Sequence, residues 1–192
     1  QSVSGGQTMN PATDDIQHAA EQVPAMDVYV LPNNKNIVMA AEQAARLART
    51  SGVRRIHVVP TTTIPQGISA MMAYDESAEI KDNVEAMQEA ASRVQSGSVT
   101  FAARDSDDDG HQIKEGELLA LENGKVAFTG TDLGSVTAKV AKDLMREDSQ
   151  FITLLYGADV SEEQAADVEE AVRSLLPEEI ELTVAYGGQP VY

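Results

Sequence analysis

Two short apolar runs, Asp27–Leu31 and Arg55–Val59, flank a segment of helical periodicity, and this pattern constrains the fold more than any other feature of the chain. The first run is almost uninterrupted, as in a strand covered on both faces. Between the runs, Ile37, Ala41, Ala44 and Ala48 share one face of a helix predicted from about Lys35 to Thr50, with Gly52 as its terminator. Strand, helix and strand make a βαβ unit, which predicts parallel strands joined by a right-handed crossover.

The rest of the first half supplies helices to cover that pair. Asn10-Pro11 reads as a helix start, with Asn as cap and Pro in the first turn, and Pro24 stops the helix after about Gln22. Pro65 opens a short helix through Met71 and Met72. A longer one runs from about Ala78 to Gln95, with Ile80, Val84, Met87, Ala91 and Val94 as a regular stripe. Ser96-Gly97-Ser98 ends it, and a subdomain boundary is expected there, dividing residues 1–97 from 98–192.

The second half reads βββαβαβ. Val99–Ala103 is a strand, followed by a polar turn from Asp105 to Gly110. Glu117–Leu121 and Lys125–Thr129 are strands joined by Asn123-Gly124, the strongest short hairpin signal. A helix from Leu133 to Arg146 carries Val136, Val140 and Leu144 on one face. Phe151–Leu155 is a strand, and Ser161 caps a helix with Gln164 three residues on, as in a capping box. Val168, Val172 and Leu175 are expected to face inward, and Ile180–Ala185 is the last strand. The expected fold is α/β: an N-terminal parallel βαβ layer with helices, then a mixed-sheet α+β subdomain with two helices.

Composition narrows the chemistry. The 192 residues contain no cysteine, so disulfides and thiolate sites are excluded. This suits a cytoplasmic protein, as does the lack of any apolar run near the ~20 residues of a membrane span. Net charge is −17, with residues 1–97 carrying seven Lys/Arg and eleven Asp/Glu, and residues 98–192 carrying seven and twenty. Such a surface repels nucleic acid and anionic membranes. Acidic residues also keep a protein soluble, while the sharper reading is a docking face for a basic partner. The chain opens on Gln1 rather than Met and is read as part of something longer.

Four polar motifs punctuate the apolar segments: residues 5–11, 32–36, 60–67 and 187–190. Loops beside strand ends commonly carry function. Asn33, Asn34, Lys35 and Asn36 follow the first strand of the βαβ unit, where ligands often bind, yet a capping turn explains part of that run. Thr61, Thr62 and Thr63 precede the helix at Pro65, with Gln66 and Gly67 inside its first turn. Free amides there suit an anion, and threonines also cap helices. His57 becomes a base or nucleophile only if an acid orients it, and a lone strand histidine is more often structural. The run Asp105, Asp107, Asp109, Gly110 opens like a calcium loop but has Gly116 where a Glu is needed, and an acidic hairpin turn is the plainer reading. No histidine pair has metal-ligand spacing, and neither a Gly-x-Ser-x-Gly elbow nor a Gly-Lys-Ser/Thr phosphate loop is present. No catalytic or metal residue is assigned.

In this order, the segments Gly5–Ile16, Leu31–Ile37, Val59–Gly67, Arg104-Asp105 with Asp109-Gly110, and Tyr186–Pro190 resemble the C-terminal domain of the bacterial fatty acid kinase A subunit, a dihydroxyacetone-kinase-like (DAK phosphatase-domain) family. The second half is similar to the DegV-type fold in outline. The resemblance implies that a separate kinase domain holds ATP and magnesium, that this segment holds no cofactor of its own, and that it engages a fatty-acid-carrying, DegV-like B subunit whose acyl carboxylate is phosphorylated for phospholipid synthesis. The partner- or ligand-binding residues expected are then Asn33, Asn34, Lys35, Asn36, Thr61, Thr62, Thr63, Gln66 and Gly67, with His57 as a further ligand candidate. Two other readings stand beside it: a small-ligand or substrate-binding domain of a dihydroxyacetone kinase-like enzyme, and a dimerisation module built on the Ile80–Val94 stripe.

Overall fold

The computed structural model describes residues 3, 10–108 and 111–189, without the side chains of 108 and 111. Most of the motif at 5–11, together with Asp109, Gly110 and Pro190, lies outside the described residues. The chain divides into two compact units, Gln1–Val94 and Gln95–Tyr192.

The first unit runs α1 (Thr13–Glu21), β1 (Asp27–Val30), α2 (Lys35–Ser51), β2 (Arg55–Val58), α3 (Ile64–Met72) and α4 (Ile80–Arg93). β1 and β2 pair in parallel, with Asp27 opposite Arg55 and Val30 opposite Val58. Successive strand side chains point to opposite faces, so the near-continuous apolar run feeds two cores. Val28 and Ile56, with Val30 and Val58 beside them, join Ile16 and Ala20 of α1 and Ala41, Ala44, Ala45 and Ala48 of α2. Tyr29 and Leu31 pack on a second cluster formed by Val59, Ala70 of α3, and Met87 and Ala91 of α4. The strand pair is therefore covered by α1 and α2 on one side and by α3 and α4 on the other. Burying each Val or Ile side chain contributes ~1.5–3 kcal/mol, enough for a two-stranded sheet to persist once both faces are closed.

Local signals end most helices where expected. Gly52 takes φ 70° and donates to Ala48 O at 2.9 Å. α1 differs: it is capped at Ala12, not Asn10. Ala12 keeps an extended backbone and its N–H is taken by Asp15 Oδ2 at 2.9 Å, so the first turn closes two residues later.

The second unit runs β3 (Gly97–Phe101), β4 (Ser106–Asp108), β5 (His111–Ile113), β6 (Leu118–Glu122), β7 (Lys125–Gly130), α5 (Leu133–Leu144), β8 (Phe151–Tyr156), α6 (Glu162–Leu175) and β9 (Glu181–Tyr186). It mixes antiparallel and parallel pairing, but in separate hydrogen-bonded sheets: antiparallel β3-β6-β7, the small β4-β5 hairpin, and parallel β8-β9. Asn123 and Gly124 both take positive φ, 49° and 81°, the geometry a two-residue hairpin needs. The segment read as a polar turn from 105 is largely the β4-β5 hairpin, with Ser106 opposite Ile113. β3 starts at Gly97, inside the expected terminator, because the missing side chain lets that residue lie against Val140 and Leu144.

α5 faces two ways. Val136 and Val140 sit with Leu118 and Ala120 of the three-stranded sheet. Ala138 sits with Val172 and Leu176 of the α6 region and with Ile180, against Ile152, Leu154 and Leu182 of the parallel pair. The inward residue at the end of α6 is thus Leu176, while Leu175 is exposed. α6 carries the predicted capping box, with Gln164 N donating to Ser161 Oγ at 3.2 Å and Ser161 N donating to Gln164 Oε1 at 3.0 Å.

Candidate functional site

The carboxyl ends of β1 and β2 release two polar loops side by side, residues 31–34 and 59–63. Val59 N donates to Val30 O at 3.0 Å, which extends the strand pairing by one step. Thr61 then turns inward. It is 1% exposed, and its hydroxyl donates to Pro32 O at 2.6 Å. This bond ties the two loops together across 29 residues of sequence. A buried carbonyl left without that donor would be costly, which explains a threonine here. Thr61 is consequently the internal tie of the loop pair, not part of its outer surface.

The remaining expected residues divide between capping and exposure. Asn34 is the N-cap of α2, and its Oδ1 accepts from Asn36 N at 2.9 Å. Thr63 is the N-cap of α3, and its Oγ1 accepts from Gln66 N at 3.3 Å. Gln66 Oε1 accepts from both Thr62 N, at 2.8 Å, and Thr62 Oγ1, at 3.0 Å. The sequence Thr63-Ile64-Pro65-Gln66 is therefore a capping box shifted by one residue, and it holds Thr62 in place. Asn33, Asn34, Lys35, Asn36 and Thr62 are exposed. Gly67 lies against Leu31, whose Cβ would be 3.9 Å from a Cβ at this position. Val59, Pro60, Gln66, Gln88, Ala91 and Ser92 line a depression of about 230 Å³ beside the second loop.

His57 is not at this end. It lies within β2, four residues before Thr61, which is roughly 13 Å along an extended chain. There it meets the acid that the sequence alone did not reveal. His57 Nε2 donates to Asp27 Oδ1 at 2.9 Å, and the Arg55 guanidinium grips the same carboxylate through Nε at 2.7 Å and a second nitrogen at 2.6 Å. Arg55 first, and then His57, hold the Asp27 carboxyl well below the usual carboxylate range. The Tyr29 ring stands 5.5 Å from the imidazole and 5.5 Å from Tyr74, and burial raises its phenol above its ordinary value. A usable signal was present: once β1 and β2 are aligned as parallel partners, Asp27 falls opposite Arg55 and Tyr29 opposite His57.

Several other features within the described residues are bonded into the fold. Gln189 of the second glycine-glycine motif returns to β8, donating from Nε2 to Leu155 O at 2.8 Å, while its backbone carbonyl accepts from Ala158 N at 2.9 Å. Asp105 Oδ1 accepts from Glu115 N at 2.7 Å, bracing the β4-β5 hairpin. His18 Nε2 accepts from the Gln22 side-chain amide at 2.9 Å. Met87 and Ala91 of the Ile80–Val94 stripe lie in the core. Among the described residues, no His, Asp and Glu side chains are grouped to hold a metal ion, and no helix is long and apolar enough to cross a membrane.

The model of the FakA-like C-terminal family, the C-terminal part of the fatty acid kinase A subunit and its like, matches residues 1–192. This chain belongs to that family. As a FakA-like C-terminal domain it is 41% identical over 190 residues to the protein SH1689 of Staphylococcus haemolyticus and 40% identical to the protein YloV of Bacillus subtilis. Each alignment covers 99% of this chain and 34% of the relative, so the domain spans about a third of their length. Its fold is DegV-like. The DegV family protein Cg2579 from Corynebacterium glutamicum superposes with a TM-score of 0.65 at 14% identity, covering 94% of this chain and 77% of that one. A DegV family protein from Thermus thermophilus, studied for fatty acid binding, superposes with a TM-score of 0.55 at 14% identity, covering 91% and 70%.

Proposed function

We propose that this domain is the non-catalytic, partner-binding part of a fatty acid kinase subunit. It receives a DegV-like subunit carrying a fatty acid, while ATP and magnesium reside on a separate kinase domain of the same polypeptide. The observation that carries this reading is the family match over the whole chain. Physical chemistry supports the division of labour. Phosphoryl transfer requires metal-bound phosphates with positive charge around the transferred group, whereas this chain has a net charge of −17. The paired loops, with Asn33–Asn36 and Thr62 exposed and Thr61, Thr63 and Gln66 as their internal ties, supply a fixed polar surface of the kind that positions a partner. ATP as donor implies a cytoplasmic setting, and the acyl phosphate formed would feed phospholipid synthesis.

Calorimetric titration with the purified, acyl-loaded DegV-like subunit tests the reading. Saturable binding is expected, together with no transfer of phosphate from ATP by this domain alone. A folded domain that fails to bind, or one that turns over ATP unaided, would refute it.

A second reading, direct binding of a small ligand, rests on the depression of about 230 Å³ beside Gln66. Thermal-shift titration with free fatty acids separates the two: a shift abolished by Ser92→Trp, at the exposed edge of the depression, without loss of carrier binding, would favour the ligand site.

A further inference from the structure

From Ile56 to Tyr74 the sequence contains no Asp, Glu, Lys or Arg, 19 residues without a formal charge in a chain that is 23% charged. α3 lies within this stretch. Its inner side is fixed by Ala70 in the core and by Gly67 against Leu31, and Ser69 Oγ donates to Ala90 O of α4 at 3.2 Å. The opposite side presents Ile64, Ile68, Met71 and Met72, spaced by four, three and one, which places all four within about 100° of the helix circumference. All four are exposed, Met72 at 83%. Tyr74 continues the strip beyond the helix end and is also exposed. An apolar strip of this kind on the outside of a helix marks an interaction surface, and methionines adapt their shape to what they meet.

The border of the strip indicates what covers it. Residues 75–93, comprising the following loop and the neighbouring α4, hold six acidic and two basic residues, net −4. Both basic residues are already paired on their own helix, Lys81 with Glu85 at 3.6 Å and Arg93 with Glu89. Asp75, Glu76, Glu79 and Asp82 therefore remain as an exposed acidic rim beside an uncharged centre. A second copy of this chain would bring the same acidic rim against itself, and an anionic bilayer would be repelled. We infer that the outer face of α3 docks a protein partner whose contact surface is apolar at its centre and lined by lysine and arginine at its edge. This rests on the partner-binding reading above and names the surface that performs it. The face begins at the Thr63 cap, so the loop pair and α3 form one continuous platform.

The test is calorimetric titration of the acyl-loaded DegV-like subunit into the full-length kinase polypeptide over a range of salt concentrations. Ile68→Glu with Met72→Glu is expected to weaken binding by about tenfold or more, and Glu76→Lys with Glu79→Lys to weaken it less while flattening its salt dependence. Circular dichroism establishes that each variant is folded. Unchanged affinity in the folded Ile68→Glu/Met72→Glu variant would overturn this inference and leave the partner-binding reading standing. Absence of binding by the unsubstituted protein would overturn both. Concentration-dependent dimerisation abolished by the same apolar substitutions would assign the face to a second copy and overturn the partner named here.

Discussion

Two parallel strand pairs in the molecule are built the same way, β1-α2-β2 and β8-α6-β9, and their carboxyl ends are finished differently. At β8 and β9 the chain closes on itself. Gly187 N donates to Tyr156 O at 2.9 Å, the rings of Tyr156 and Tyr186 stand 5.3 Å apart, and Gln189 bonds back to Leu155 and Ala158. At β1 and β2 the internal bonds lie deeper. Thr61 joins the loops from beneath, and the polar residues around it stay on the surface. One end is a clasp and the other a platform. The same supersecondary unit can thus close on itself or leave its polar loop residues exposed, depending on where the hydrogen bonds that tie its ends are made.

Single substitutions test this contrast. The largest effect is expected from Met87→Ala, which removes the largest fully buried side chain, beneath the platform. A stability loss of ~2–5 kcal/mol in denaturant unfolding is expected. A loss below ~1 kcal/mol would show that α3 and α4 are not held by that core. Thr61→Val keeps the shape but orphans Pro32 O, and should cost ~1–3 kcal/mol. Gln189→Ala at the clasp should cost less, with faster amide exchange at Ala158, since its groups are better able to find water. Equal costs at the two ends would erase the distinction between buried tie and surface clasp.

The helix caps offer a sharper comparison. Thr63→Ala and Ser161→Ala each remove one N-cap hydroxyl and should each cost ~1 kcal/mol. Only Thr63→Ala should also weaken binding of the DegV-like subunit, because only that cap lies on the platform. Parallel loss of affinity in both variants would mean that binding simply tracks stability.

The smallest effect concerns Asp27. Its carboxyl titrates below the ordinary range when folded, so its contribution is fully present above the unfolded value of about 3.9 and is lost as pH falls through the folded value. Asp27→Asn should therefore lower the thermal midpoint by a few degrees near neutral pH, and the gap should shrink as pH drops below about 4. A gap that stays constant down to about pH 2 would assign the effect to packing and not to charge.

Much of the fold was legible because it rests on local chemistry. Asn34, Thr63 and Ser161 cap helices at the positions their residue types suggest, and Asn123-Gly124 makes its turn wherever it occurs. Less was legible where one residue serves two neighbours. The 3.6-residue period identified the Val136, Val140 and Leu144 face of α5, but the second face through Ala138 is written in small residues that carry little hydropathy signal. The loops of the candidate site were picked out by composition. Their division into exposed residues and internal ties was not, since a threonine that caps, a threonine that is buried and a threonine on the surface look alike in sequence.

The sequence by itself determined the order and type of the elements, the acidity of the surface and the family, because periodicity, caps and turns act over a few residues. Only the tertiary structure decided which residues meet: Asp27 with Arg55 and His57, Thr61 with Pro32, Gln189 with Leu155, and the apolar side of α3 with solvent. Those pairings join positions far apart along the chain or depend on which side of a helix is covered, and chain folding in three dimensions sets both.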